Sequence, residues 1–207
     1  MATNRELLIL LALVLGVMVW SWIEPASRNI WWAEAVPVVI AIPLLWFTRQ
    51  TFPLTRIVYY LIVIHAVILL VGAHYTYSRV PIGFWMQDMF DFSRNHYDRI
   101  GHIAQGFVPA LIAREIFIRY RLIRVRGWRV FLVICFCLAF SAFYELIEWW
   151  SAEIGGDGSV DFLGTQGDIW DAQWDMMLAL LGAIASQLLL SHWHDRQLAA
   201  VTGNDRD

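Results

Sequence analysis

Lysine is absent from this chain and charge of any kind is scarce: the fifteen basic residues are all arginine, and Asp, Glu, Lys and Arg together make up 16% of 207 residues. The arginines form no basic block that would track a phosphate backbone, so nucleic acid is not an expected partner. Cysteine is limited to Cys135 and Cys137. Two positions apart inside an apolar run, they point to different helix faces, which excludes a disulfide and a metal clip between them. There is also no internal repeat of the inverted-transporter kind and no stretch that reads as a separate soluble domain. Residues 1–207 are expected to form a single integral membrane domain.

What fills the chain is apolar. Hydrophobic residues reach 59%, twelve of them Trp, and the mean hydropathy is positive, well outside the norms of soluble domains. A bilayer core needs about 20 mostly apolar helical residues, and six runs of roughly that length are present: Leu7–Ile23, Trp31–Phe47, Ile57–Tyr75, Ile100–Ile118, Trp128–Trp150 and Asp171–Trp193. The expected fold is therefore an all-α, polytopic bundle. The first run exceeds a signal-peptide core and lacks a small-x-small cleavage site, so it reads as a retained anchor. The second is short and holds Pro37 and Pro43, which suits a kinked, tilted or partly re-entrant segment.

Arginine asymmetry orients the bundle, because positively charged loops stay in the cytoplasm. Arg119, Arg121, Arg124, Arg126 and Arg129 crowd one loop, whereas Ser151–Trp170 holds acids and no Arg. With six spans both termini are then cytoplasmic. Trp20, Trp22, Trp31, Trp32, Trp149, Trp150 and Trp170 fall near the outer boundaries, as amphipathic indoles do. Pro81–Asn95 is too polar to cross and carries apolar residues that suit an interfacial segment. Within the Gly- and Asp-rich loop Gly155–Gly167, Asp157, Ser159 and Asp161 suggest a calcium loop, but Phe162 stands where that loop requires Gly.

Ionisable groups inside spans are costly, roughly 2.5–3.5 kcal/mol each on insertion scales, and here they come in spaced sets. Asp98, His102 and Gln105 follow i, i+4, i+7 and share one helix face. Glu145 and Glu148 share a face of the fifth run, and Asp171 and Asp175 a face of the sixth. Measured from the outer ends at 1.5 Å per residue, His102, Glu145 and Asp175 lie at one depth, roughly 6–8 Å inward. His74 ends the third run on the same side. A packed bundle would bring these side chains together in a pocket open to the periplasm.

Imidazole with several carboxylates suits Zn, Mn or Fe, and crowded carboxylates with His102 also suit acid and base work. The candidate metal ligands are His102, Glu145, Glu148 and Asp175, with Asp171, Asp98 and His74 at the rim; the first four are also the candidate catalytic groups. Neither the paired Glu-x-x-His of di-iron bundles nor His-Glu-x-x-His occurs. The plainer alternatives are caps at Asp98 and Asp171 and a structural ion-pair network with Arg94 or Arg99. His65, nine residues before His74 and so on the opposite face, reads as a packing residue. Arg114 and Glu115 suit snorkelling or pairing near the inner boundary. Arg79, Arg94 and Arg99 could grip an anionic headgroup.

The segments Gly72–Pro81, Arg94–Gly106, Phe143–Trp150 and Gln166–Met176 resemble the YjdF-type bacterial inner-membrane family, and the resemblance covers nearly the whole chain. It implies a multi-pass inner-membrane protein and no particular chemistry. The order Asp98-Arg99-x-x-His102, Glu145, Asp171-x-x-x-Asp175 is also similar to VanZ-like membrane domains, with Glu148 and Asp175 in place of amides. From the residues, three functions stand open. The first is an enzyme acting on an envelope lipid or lipid-linked substrate, the second a cation- or proton-coupled transporter, and the third a structural membrane protein. Membrane lipids are the expected partners in each.

Overall fold

The computed structural model describes residues 2–155 and 165–202; the calcium-loop comparison at Asp157, Ser159, Asp161 and Phe162 falls outside them. Among the described residues all regular structure is helical: α1 Asn4–Trp22, α2 Arg28–Thr48, α3 Arg56–Tyr75, a 3-10 turn Tyr77–Arg79, α4 Pro81–Phe90, α5 Tyr97–Arg119, α6 Arg126–Gly155 and α7 Asp171–Thr202. The bundle has two halves. α1 and α2 each pack on α3, while α6 and α7 pack on α5 and on each other; α3 and α5 join the halves.

Local chemistry sets several boundaries. Thr3 and Glu6 form a capping box that opens α1. Proline at the first position of α4 costs no hydrogen bond there, and Asp91 closes that helix in the left-handed region at φ 54°. Ile82, Phe84, Trp85, Met89 and Phe90 of α4 are exposed, as an interfacial helix requires. α2 corrects one expectation: despite Pro37 and Pro43 it is one continuous helix of 21 residues, about 31 Å long, with no re-entrant turn. Trp31 corrects another. It is 3% exposed and its indole N–H donates to Ser21 Oγ at 2.8 Å, so it packs α2 against α1 rather than marking an interface.

Five helices, α1, α2, α3, α6 and α7, are long and apolar enough to cross a membrane. Large apolar residues such as Phe47, Leu188 and Leu189 stand exposed on them, the reverse of a soluble surface. The expected fourth run, α5, misses that apolarity because it carries Asp98, Arg99, His102, Arg114, Glu115 and Arg119. Its 23 residues nevertheless run through the centre of the bundle with most of those side chains covered.

α5 and α7 make the most extensive contact in the molecule, and two glycines permit it. A Cβ on Gly106 would stand 1.8 Å from the Ala179 carbonyl oxygen, and one on Gly182 would stand 2.3 Å from the Ile103 carbonyl oxygen. Bare backbone at both positions lets the helices touch, which seats Asp175 beside His102. Cys135 and Cys137 are free thiols.

Candidate functional site

At the end of the bundle shared by the N-termini of α5 and α7 and the C-terminus of α6, polar side chains converge on one imidazole. His102, 4% exposed, presents Nε2 to Asp98 Oδ1 at 3.5 Å, one turn back on α5, and to Asp175 Oδ2 at 4.0 Å on α7. Its Nδ1 faces Gln105 Oε1 at 3.1 Å and Glu145 Oε1 at 3.7 Å on α6. Acceptor oxygens thus face both ring nitrogens, an arrangement suited to a ring that carries both protons or to a cation in place of the one on Nε2. Glu148 lies beside Glu145. Asp98, His102 and Asp175 form one group whose potential ligand atoms lie within 4.8 Å of one another, and His102, Glu145 and Glu148 form a second. Glu145 Oε1 and Asp175 Oδ1 are buried with no hydrogen-bond partner among the described residues.

A cavity of about 40 Å³ adjoins the cluster, enclosed by Asp98, His102, Gln105 and Glu148 together with Glu34, His65, Tyr77 and Tyr144. Its size suits an ion or a few waters. Four of these residues were not expected from sequence. Glu34 is a carboxylate inside α2, 5% exposed, that accepts from the Tyr144 hydroxyl at 3.4 Å; the cost of a lone acid within an apolar run was the signal for it. His65 corrects its reading as a residue outside the site: it lines this cavity, and its Nε2 has no hydrogen-bond partner among the described residues. Tyr77 rests against Gly72 and Gly101, where a Cβ would strike its ring.

Other expected members lie apart. His74 does not join the cluster; its Nδ1–H donates to the Ser21 carbonyl at 3.1 Å, and its ring packs on Trp20 and Tyr75. Asp171 is engaged by Arg94, which also donates to the Thr165 carbonyl. Arg99 pairs with Asp168 at 3.0 Å and lies over the Trp174 ring. Arg94 and Arg99, expected to grip an anion, are thus spent on carboxylates, and Arg79 stands exposed at the end of the 3-10 turn. These pairs pin the segment before α7 to the segment before α5, and a reciprocal pair of bonds between Gln166 and the Asn95 backbone completes the clamp. In that segment the burial of His96, reinforced by Arg99 and Arg94 and opposed by Asp168, holds its imidazole below the ordinary histidine pKa.

A second buried network occupies the opposite end. Glu115, fully buried, accepts from the Thr55 backbone and hydroxyl, Arg119 and His194 Nε2. Arg114 reaches His194 Nδ1 at 3.0 Å and Asp195 at 2.6 Å. Pairing, not snorkelling, accounts for Arg114 and Glu115.

Comparison with known proteins adds a family. The family model described as "Predicted membrane protein (DUF2238)" matches residues 6–196. The chain belongs to this family. It is 50% identical over 182 residues to the inner membrane protein YjdF of Escherichia coli strain K12, covering 88% of this chain and 87% of that one. No solved structure matches. Family membership makes this a multi-pass protein of the inner membrane. The likeness to VanZ-like domains gains no support from these matches.

Proposed function

We propose that the protein is an inner-membrane enzyme acting from the periplasmic side on an envelope lipid or lipid-linked substrate, with a divalent cation of the Zn, Mn or Fe kind bound at His102. Charge carries this reading. Asp98, Glu145, Glu148, Asp175 and Glu34 crowd one imidazole, while the nearby guanidiniums of Arg94 and Arg99 already serve Asp171 and Asp168. Buried anions without compensation are strongly unfavourable, so the cluster calls for a cation, protons or both. Atoms sharing a Zn-type ion at bonds of about 2.0–2.2 Å sit roughly 3.3–3.6 Å apart, near the 3.5 and 4.0 Å separations on the Nε2 side.

In this reading Nε2 of His102, Asp98 and Asp175 would hold the ion, and Gln105 would orient the ring by accepting from Nδ1–H, the usual support of a ligating histidine. When bound there, such an ion would supply Lewis-acid polarisation or an activated water. Glu145 and Glu148, on the other side of the ring, give and take protons. The periplasmic assignment rests on arginine: ten lie in the segments at the inner end and four in those at the outer end. A transporter would need a polar route between the two networks; the buried residues between them are apolar on α5 (Val108, Ala110, Leu111 and Ala113), with polar Ser141, Ser186 and Gln187 on α6 and α7.

Elemental analysis of purified protein tests the reading. Wild type should carry close to stoichiometric metal, and His102→Ala and Asp175→Asn should lose it while keeping the wild-type size-exclusion profile. A metal-free wild type sinks the metal assignment.

A further inference from the structure

A second cavity, about 310 Å³, lies between α1, α2, α3 and α5. Leu10, Val14, Ile42, Ile62, Ala66 and Ile112 are among its walls, and its far end is marked by Trp46, Arg49 and Tyr59. Interiors of folded proteins rarely leave such space, and an engineered apolar cavity of roughly half this volume binds benzene. Water gains nothing among hydrocarbon walls. Three observations point to an occupant. Pro37, His65, Leu69 and Phe140 line both this cavity and the polar one at His102, so the apolar space ends at the cluster. Leu44 and Phe140 line it and are 59% and 43% exposed on the lipid-facing surface, so it opens sideways into the bilayer. From Pro37 to Arg49 along α2 is about 18 Å, close to the depth of one leaflet of a hydrocarbon core about 30 Å thick.

The backbone suits the same purpose. α2 is held chiefly by α3, with the Tyr144 bond to Glu34 tying it to α6 beside the cluster. Pro37 and Pro109 face the cavity without an N–H of their own, so neither helix there follows a regular hydrogen-bond ladder.

We infer that this cavity binds one hydrocarbon tail of a membrane lipid, entering between α2 and α6 past Leu44 and Phe140, and so delivers the lipid's polar head to the His102 cluster. The inference deepens the proposed function and rests on its reading of that cluster as the reacting site. Acyl and polyprenyl tails share the chemistry the walls recognise.

Photocrosslinking decides. Purified protein would be reconstituted with palmitoyl phosphatidylglycerol carrying a diazirine near the chain end, and separately with a diazirine-labelled polyprenyl phosphate. The expected result is crosslinking to Ile42, Ile62 or Ile112 by one or both probes, lost in Ala66→Phe and in Ala41→Phe, two cavity-filling changes that leave the His102 ligands untouched. The probe that crosslinks identifies the tail. Crosslinks confined to exposed residues such as Leu188, or cavity crosslinks undiminished in both variants, overturn the inference. Metal measured in the same samples separates the two proposals: metal without cavity crosslinks sinks the tail site alone, and cavity crosslinks without metal sink the metal reading alone.

Discussion

In the proposed site His102 has a different task on each nitrogen, and Gln105 serves one of them. With its amide oxygen 3.1 Å from Nδ1, Gln105 holds the ring plane and would accept the Nδ1 proton when a cation occupies Nε2. Gln105→Leu removes that acceptor at similar volume; we expect metal affinity to fall about 10–100-fold, read by competition with a chromogenic chelator, while Gln105→Glu should retain most of it. The residues around this ring were legible in sequence where one helix's spacing decided the matter. Asp98 and His102 face together because four residues make about one turn, and equal depth brought in Glu145 and Asp175. Glu34 and His65 were not legible, because their membership depends on how α2 and α3 rotate toward α5. His74 was misplaced for the same reason: its depth suits the cluster, but its face turns to Ser21 and Trp20.

At the scale of elements, the α5–α7 crossing carries the site. Gly182→Val should force the helices apart, destabilising the protein on the order of 1–3 kcal/mol and lowering metal content, because Asp175 is displaced with its helix; a detergent thermal melt and elemental analysis would show both. A melt unchanged from wild type would contradict the close approach. The segment leading into α5 responds to pH through His96. Its folded pKa is lowered, so above about pH 6.5 the ring is neutral in both the ordered and the disordered segment. As pH falls through that value the disordered form takes up the proton first and order is lost, with the loss complete below the folded pKa. Protection factors across residues 91–96, corrected for the intrinsic pH dependence of amide exchange, should therefore fall in acid, and His96→Gln should flatten that response. The all-helical, multi-span character was readable from hydropathy, whereas five rather than six of the expected runs are apolar enough to cross. The continuity of α2 was not, since two prolines weaken a helix locally while packing on α3 decides whether it survives. α7 extends past the expected Trp193 to Thr202 because its last turns are held by His194 and Asp195, contacts that a hydropathy window does not register.

For the whole molecule, the proposed orientation, with the site on the periplasmic side, is open to direct measurement. In a variant with Cys135 and Cys137 replaced by Ala, a cysteine at Ile169, 84% exposed, should react with a membrane-impermeant maleimide in intact spheroplasts, and one at Arg124 should react only after lysis. The opposite pattern would turn the site to the cytoplasm. The centrality of α5 also bears on biogenesis. Its acids and arginines make it a poor substrate for insertion on its own, and several of the groups that cover them, Asp175, His194 and Asp195, reside on α7, which is synthesised after α5 and α6. α5 is thus expected to wait at the translocon or in the interface until α7 arrives. A chain halted after α6 should hold α5 in a protease-sensitive state, with the His102 cluster assembled only once α7 has been made.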